Sequence, residues 1–146
     1  MPEQRGQREG SQRSLVIVGS GLSVLSGQGP VIDTMTVVRL KQGLTDPVHR
    51  GVRTDYLCAR SSRYDMGKHP FWLLKDAYPE YTGKKPTTGL CAVLEVIERL
   101  KPDQIYVIGF DRLMHPDRPD PPNTWLAHDK WAEHRLLMML GVRELV

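Results

Sequence analysis

Two side chains near the end of the chain, His128 and Glu133, are of types that move protons or hold a base in place. They lie in HDKWAEHRLLMML, a stretch with the composition of an amphipathic helix. A histidine at the start of a helix would be held toward its neutral form by the helix dipole, which suits a general base. A spacing of five residues puts the two side chains about 140° apart on a helix, so they do not share one face. The alternative is a surface histidine that happens to begin a helix.

A glycine-rich segment, VIVGSGLSVLSG, could meet the phosphate of a ligand. Gly19, Gly21 and Gly27 follow an apolar run, where they permit tight turns and leave backbone amides free to bind an anion. The segment is neither G-x-G-x-x-G nor a nucleoside triphosphate loop ending in Gly-Lys-Ser or Gly-Lys-Thr. A plain turn between a strand and a helix explains the segment equally well.

The segment KPTTGL is a second candidate for phosphate binding. Thr87, Thr88 and Gly89 stand directly before an amphipathic segment, so hydroxyls and amides collect at the positive end of a helix. An ordinary helix N-cap uses the same residue types. The local pattern therefore leaves both readings open.

The elements that would position these residues follow an α/β pattern. Apolar or β-branched runs predict at least four strands. Their ranges are 14–19, 35–40, 54–59 and 104–109. A short helix is also expected around Trp72 to Ala77.

A longer helix is predicted between the third and fourth of these strands, where apolar residues recur at steps of three and four. These residues are Leu90, Val93, Leu94, Ile97 and Leu100. Pro102 ends the pattern. A helix followed at once by an apolar strand is typical of a right-handed βαβ crossover. We therefore expect an α/β fold with a single Rossmann-like domain, in which helices flank a mostly parallel sheet.

The segment MHPDRPDPPN, residues 114–123, carries four prolines and is expected to be a loop. Ligands of open α/β sheets bind beyond the carboxyl ends of the strands. This loop and the one after Gly19 should emerge there, which points to one site.

Length and composition fit one domain over residues 14–146, because 146 residues of which 40% are hydrophobic can bury one core. The first thirteen residues are polar and are expected to form a flexible arm. A net charge of +3 permits phosphate-bearing ligands without demanding nucleic acid.

Cys58 and Cys91 have no zinc-ligand spacing and are interpreted as buried reduced thiols, although a bridge between them stays possible. The sequence has neither an apolar run of membrane length nor a signal core, so the protein is expected to be cytoplasmic and not membrane-bound.

The order of these segments resembles the sialyltransferase family, whose members carry a large, a small, a third and a very small sequence motif. The large motif is similar to VIVGSGLSVLSGQGPVIDTMTVVRL, and the small motif to KPTTGLCAVLEVIERLKPDQIYVIGFD. The very small motif is similar to His128 and Glu133, and His115 stands where the third motif has a histidine. Leu15 replaces the cysteine that opens the family's large motif, so the family's disulfide cannot form.

The resemblance implies a GT-A-like variant of the Rossmann-like fold, in a minimal bacterial or bacteriophage-like version. It implies a metal-independent, inverting glycosyltransferase whose donor is a CMP-linked sugar, with no other cofactor. The absence of an Asp-x-Asp pair, which would hold Mn²⁺ or Mg²⁺ on a sugar diphosphate, agrees with this.

The resemblance also assigns roles to residues. His128 would take the proton of the acceptor hydroxyl, and His115 would contact phosphate. Glu133 would hold neighbouring backbone in place without contacting the substrate. The nucleotide would be bound by Gly19, Ser20, Gly21, Thr87, Thr88 and Gly89.

Two other functions remain open at this point. The chain could be a catalytically silent nucleotide-binding module without a formed acceptor site. It could instead transfer sugar to a modified base in DNA rather than to a glycan, with Arg5, Arg8 and Arg13 of the arm touching phosphates. The sequence leaves the oligomeric state open.

Overall fold

A six-stranded parallel sheet forms the centre of the protein in a computed structural model that describes residues 13–75, 84–120 and 128–146. The strand order is β4-β3-β2-β1-β5-β6, so the winding reverses between β1 and β5. This confirms the predicted Rossmann-like α/β fold. The strands are β1 (Ser14–Val18), β2 (Thr36–Leu40), β3 (Tyr56–Ala59), β4 (Phe71–Leu73), β5 (Gln104–Ile108) and β6 (Arg143–Glu144).

Helices cover both faces of the sheet. Most of the helical residues lie in two elements, of 13 and 10 residues. The helices are α1 (Gly29–Ile32), α2 (Thr88–Leu100), α3 (Asp111–Met114) and α4 (Lys130–Met139). None of the helices within the described ranges is long and apolar enough to cross a membrane.

The central strands are continuously apolar because both of their faces are buried. In β1, Leu15 and Ile17 pack into a core with α2, α3 and α4, whereas Val16 and Val18 pack on the opposite face with Val24. Alternate residues of a strand point to opposite faces, so a sheet between two layers needs apolar residues at every position.

The four predicted strands and the long amphipathic helix are confirmed, with ends shifted by one or two residues. In α2, Thr87 is the N-cap, and its hydroxyl accepts a hydrogen bond from the amide of Leu90 at 3.1 Å. The helix ends at Leu100, after which Lys101 turns into the left-handed region with a φ of 46°. Pro102 then stops any continuation.

The predicted short helix from Trp72 to Ala77 is wrong at its start, because Phe71–Leu73 form the edge strand β4. The parallel pairing of β4 with β3 explains the extended conformation, and the Tyr56 ring also stacks on the Trp72 ring with centroids 4.6 Å apart. Residues 76 and 77 lie outside the described ranges. Strand β6 was also not expected from the sequence.

The last helix does not begin at His128. Asp129 is its N-cap and accepts a hydrogen bond from the amide of Ala132 at 3.0 Å, so α4 starts at Lys130. The proline-rich segment begins within α3, since Met114 is the last helical residue there. Residues 115–120 then form turns and irregular structure, and 121–123 lie outside the described ranges.

The expected flexible arm falls mostly outside the described residues, which begin at Arg13. The Arg13 amide donates to the carboxylate of Asp103 at 2.8 Å, and its guanidinium donates to the carbonyl of Leu100 at 3.0 Å. Arg13 is thus joined to the turn that follows α2.

Both cysteines are buried and neither forms a disulfide, in agreement with their interpretation as reduced thiols. Burial raises the pKa of the Cys58 thiol to about 12, with smaller contributions from Glu95 and Cys91. A thiol in this state is a poor nucleophile.

Candidate functional site

The glycine-rich loop after β1 is anchored to the end of β5. The amide of Gly19 donates to the carbonyl of Ile108, and the amide of Gly21 donates to the carbonyl of Gly109, both at 2.8 Å. The expectation that these two amides are free to bind an anion is therefore wrong, because the neighbouring strand uses them. Ser20 lies between them, is exposed, and keeps its amide and hydroxyl available among the described residues.

The two glycines are required because the loop and β5 approach too closely for a side chain. A Cβ on Gly19 would lie 2.7 Å from the carbonyl oxygen of Gly109, and one on Gly21 would lie 2.7 Å from the Asp111 carboxylate. Gly109 itself has a φ of 77°, a conformation that favours glycine. The glycines are thus needed for the close packing of this loop against the residues that follow β5.

Ser23 and Asp111 lock this arrangement. Both the amide and the hydroxyl of Ser23 donate to the Asp111 carboxylate, the amide at 3.1 Å. The Ser23 hydroxyl oxygen in turn accepts from the amide of Gly109 at 3.0 Å. These hydrogen bonds hold the loop in a fixed position at the carboxyl edge of the sheet.

The Phe110 ring joins the glycine loop to the N-terminus of α2. A Cβ on Gly19 would lie 3.0 Å from one edge of the ring, and a Cβ on Gly89 would lie 2.7 Å from the other edge. The two predicted phosphate-binding segments therefore lie on opposite edges of one buried ring. This is the edge of the sheet where the winding reverses, which is the usual ligand position in such folds.

Glu133 on α4 holds the N-cap of α2. Its carboxylate accepts from the Thr87 hydroxyl at 2.5 Å and from the Thr87 amide at 3.2 Å. The carboxylate thus contacts the backbone at the N-cap of α2. Thr87 uses its amide and hydroxyl in these bonds and in the helix cap, which removes both groups from the set that could bind a nucleotide directly.

The Glu133 side chain is fully buried, with 0% of the residue exposed. Burial raises the pKa of this carboxyl, while the bonds from Thr87 and the nearby charges of His128 and Arg112 act in the opposite direction. The site therefore contains a carboxylate that is costly to ionise and is held by its hydrogen bonds.

Thr88 and Gly89 begin α2 and carry the first amides of the helix. Of these first-turn amides, the Leu90 amide bonds to the helix cap. The amides of Thr88 and Gly89 and the Thr88 hydroxyl have no partner among the described residues, and they lie at the positive end of a 13-residue helix. Together with Ser20, they are the groups of the predicted nucleotide set that remain available to an anion.

His128 lies beside the N-terminus of α2 and not on a helix. Its ring Nδ1 is 2.5 Å from the carbonyl oxygen of Lys85, two residues before Thr87. A carbonyl only accepts, so Nδ1 carries the hydrogen, and the neutral ring has its lone pair on Nε2. This is the tautomer that can take a proton at Nε2.

His115 makes a different contact. Its Nε2 is 2.8 Å from Oε1 of Glu144 on β6, the hydrogen bond that its ring makes within the described residues. The structure therefore places His115 at the end of α3, against β6. Its predicted role as a phosphate partner stays a prediction.

A second polar cluster joins the segment after α3 to α4. Asp120 accepts from Arg112 at 3.0 Å and from Lys130 at 3.2 Å, and Lys130 also donates to the carbonyl of Arg118 at 3.1 Å. Lys130 follows His128 by two residues, so the cluster fixes the chain next to the histidine. Both cations lower the pKa of the Asp120 carboxyl, with the Arg112 hydrogen bond as the largest cause.

Arg39 is a buried cation that sequence reasoning missed. It is 1% exposed, and its guanidinium donates to the carbonyls of Arg53 and Arg50 at 2.6 and 2.8 Å. The segment that it holds reaches the start of α1, where the Gly29 amide donates to the carbonyl of Val48 at 2.9 Å. An arginine inside the apolar strand TVVRL was the available signal.

Among the residues that the structure describes, no group of three or more histidine, cysteine, aspartate or glutamate side chains could hold a metal ion.

The fold is similar to that in a crystal structure of a mammalian sialyltransferase. The TM-score is 0.60 at 16% sequence identity, and the match covers 92% of this chain and 69% of the other. No protein-family model matches the chain, and no curated protein matches it in sequence. At this identity the likeness is one of architecture, and function must be argued from the site. The chain has a sialyltransferase-like fold.

Proposed function

We propose that the protein is a metal-independent, inverting glycosyltransferase that uses a CMP-linked sugar as donor and His128 as general base. The observation that carries the proposal is the meeting of three separate segments at one edge of a sialyltransferase-like fold. These segments are the glycine loop, the N-terminus of α2 and the chain around His128.

The donor phosphate is assigned to groups that lie near the Phe110 ring. These groups are the amide and hydroxyl of Ser20, the amide and hydroxyl of Thr88, and the amide of Gly89. The α2 dipole favours an anion at this end of the helix, and first-turn amides of helices are common phosphate ligands. A CMP donor carries one phosphate, which such a set can meet without a divalent cation.

The base is assigned to His128 because its hydrogen bond specifies the required tautomer. With Nδ1–H donated to the carbonyl of Lys85, Nε2 is the atom that takes the proton. In the proposed step, Nε2 removes the proton of an acceptor hydroxyl, and that oxygen attacks the anomeric carbon. The bond from this carbon to the phosphate oxygen breaks, and CMP leaves with the electron pair. Attack opposite the leaving group inverts the anomeric centre.

Glu133 is assigned a supporting part in this arrangement. It joins α4 to Thr87, two residues from the carbonyl that holds His128, so it couples the donor end of α2 to the base. Carboxylates that orient the surroundings of a catalytic group are common in enzymes.

The donor class is tested by ligand-induced stabilisation, since a ligand that binds only the native protein raises its melting temperature. CMP and CMP-sialic acid, each in the presence of EDTA, should raise the melting temperature, whereas UDP-sugars should not. If only UDP-sugars with Mn²⁺ stabilise the protein, the proposed donor is wrong. Cytidine serves as the control that lacks the phosphate.

The proposal is separated from a silent nucleotide-binding module by turnover. An enzyme releases CMP from CMP-sialic acid over time, with water or a hydroxyl compound as acceptor. A silent module binds CMP and releases none.

A further inference from the structure

Arg60, the residue that follows β3, reaches the segment that leads into α2. Its guanidinium donates a hydrogen bond to the carbonyl oxygen of Pro86 at 2.5 Å. Pro86 is buried, so its carbonyl would be costly to leave without a partner. Strand β3 ends at the carboxyl edge of the sheet, and α2 begins at the same edge because it leads to the start of β5. The contact therefore joins two parts of the site edge that lie 26 residues apart in sequence.

The peptide group between Pro86 and Thr87 is held at both ends by opposite charges. The carbonyl of Pro86 and the amide of Thr87 belong to this one planar group. Its oxygen accepts from the Arg60 guanidinium, and its N–H donates to the Glu133 carboxylate at 3.2 Å. Hydrogen bonds with ionised partners are the stronger ones, and here both act on the same plane. The orientation of this peptide group is thus fixed from the β3 side and from α4.

The groups assigned to the donor phosphate begin at the next peptide group, which carries the Thr88 amide. Only the two backbone dihedrals of Thr87 separate the two planes. Thr87 has a φ of -72° and a ψ of 158°, and its carbonyl accepts from the amide of Cys91 at 3.1 Å. The direction of the Thr88 amide is therefore set jointly by the first turn of α2 and by the peptide group that Arg60 and Glu133 hold.

The helix dipole does not account for an arginine at this position. The N-terminus of a helix favours anions, so a cation beside it is unfavourable for α2 on its own. The Glu133 carboxylate offsets part of this cost from the other end of the peptide group. An anionic ligand at the Thr88 and Gly89 amides would offset more of it, so the charge of Arg60 also favours a bound phosphate.

We propose that Arg60 is a positioning residue of the donor site: by holding the Pro86 carbonyl, it fixes the Thr88 amide in the direction that the donor phosphate requires. The inference rests on the proposed function, since it concerns the same site. It gives Arg60 a role through the backbone and no contact with the donor.

The test compares the affinity of CMP with that of cytidine, because the difference isolates the phosphate. NMR titration of the full chain in EDTA, which also detects weak binding, is run on wild type, Arg60→Met and Arg60→Lys. Methionine keeps an unbranched apolar stem and removes every donor. Arg60→Met should weaken CMP binding roughly tenfold, the effect of losing one hydrogen bond to a charged group, and leave cytidine binding unchanged. Lysine keeps a charged donor, so the CMP affinity of Arg60→Lys should lie between those of wild type and Arg60→Met.

Arg63→Met is the matched control, because it removes the same charge three residues further along the same segment. The Arg63 guanidinium donates to the Tyr64 hydroxyl at 2.8 Å and lies over the Tyr64 ring. This control should leave the CMP affinity unchanged.

The backbone amide signals of the ligand-free protein show whether Arg60 acts through the peptide groups. The signals of Thr88 and Gly89 should shift in Arg60→Met and stay in place in Arg63→Met. A role confined to direct contact with the ligand would leave them in place in both variants.

The outcomes separate this inference from the proposed function. Wild-type protein that binds no CMP overturns both. If wild type binds CMP, an affinity that Arg60→Met leaves unchanged overturns the inference alone, as does an equal loss of affinity for cytidine. A loss of CMP affinity without a shift of the Thr88 and Gly89 signals excludes positioning through the backbone. If Arg60→Met does not fold, Arg60→Lys is compared with Arg63→Lys by the same measurements.

Discussion

Replacing Glu133 with alanine should destabilise the protein, because this carboxylate joins α4 to the N-terminus of α2. It accepts two hydrogen bonds from Thr87 and is fully buried. Hydrogen bonds to charged groups contribute about 1.5–3 kcal/mol each, which gives a gross loss of about 3–6 kcal/mol. Removing the side chain also removes the cost of burying a charge, so we expect a net loss of about 2–4 kcal/mol in the free energy of unfolding.

Glu133→Gln is the matched control for this change. The glutamine has nearly the same volume, and its carbonyl oxygen can still accept from the Thr87 hydroxyl. Because burial raises the pKa of Glu133, a neutral side chain also avoids that penalty. We expect Glu133→Gln to lower the free energy of unfolding by less than about 1 kcal/mol.

The dependence on pH has a definite sign. The pKa of Glu133 is raised in the folded protein, so the folded protein binds this proton more tightly than the unfolded chain does. The resulting stabilisation is complete below the unfolded pKa of about 4.3 and is lost as pH rises through the folded pKa. Glutamine does not titrate. The stability of wild type relative to Glu133→Gln should therefore fall as pH rises through this window.

Urea unfolding followed by circular dichroism at several pH values measures these differences. A Glu133→Ala variant that is no less stable than Glu133→Gln at pH 7 would contradict the stabilising role of these hydrogen bonds. A stability difference between wild type and Glu133→Gln that stays constant from acid to neutral pH would contradict the raised pKa.

Three other predictions concern single residues. Thr88→Val should weaken CMP binding roughly tenfold in a titration without changing the melting temperature of the free protein, and unchanged affinity would make Thr88 a plain helix residue. Gly89→Ala should lower the free energy of unfolding by about 1–3 kcal/mol, because the added Cβ would lie 2.7 Å from the Phe110 ring. Helix propensity alone predicts a gain of stability, and such a gain would contradict the close contact. Cys58, whose pKa is raised to about 12, should react with a thiol reagent only on unfolding, and rapid labelling of the native protein would contradict its burial.

The fold was predictable where local patterns were long. The segments SLVIV and QIYVI are nearly continuous apolar runs, which are typical of strands buried on both faces. Helix α2 has apolar residues at steps of three and four, which is typical of a helix with one buried face. Strand β4 has three residues and β6 has two, too few for a pattern, and both pair by tertiary contacts that the sequence does not display. The predicted start of the last helix at His128 is wrong by two residues, because Asp129 is the N-cap and α4 begins at Lys130.

The site was predictable in outline but not in its contacts. The residue types at Gly19, Gly21 and Thr87 fit phosphate binding, yet the structure uses their amides for strand β5 and for Glu133. Ile108 lies 89 residues after Gly19, and Glu133 lies 46 residues after Thr87. No local pattern can reveal partners so far apart in sequence. The contact of His115 with Glu144 is hidden for the same reason.

The most direct test of the proposed mechanism is the rate at which CMP is released from CMP-sialic acid in EDTA by wild type and by His128→Asn. The asparagine amide can donate to the carbonyl of Lys85 as Nδ1–H does, but it cannot take a proton. His134→Asn is the matched control, because His134 makes the same kind of bond to the carbonyl of Leu113.

We expect wild type and His134→Asn to release CMP at similar rates. His128→Asn should bind CMP as wild type does and release it about 10²- to 10⁴-fold more slowly, the usual contribution of a general base. Release of CMP by His128→Asn at the wild-type rate would contradict the assignment of the base, and no release by the wild-type protein would contradict the proposed function itself.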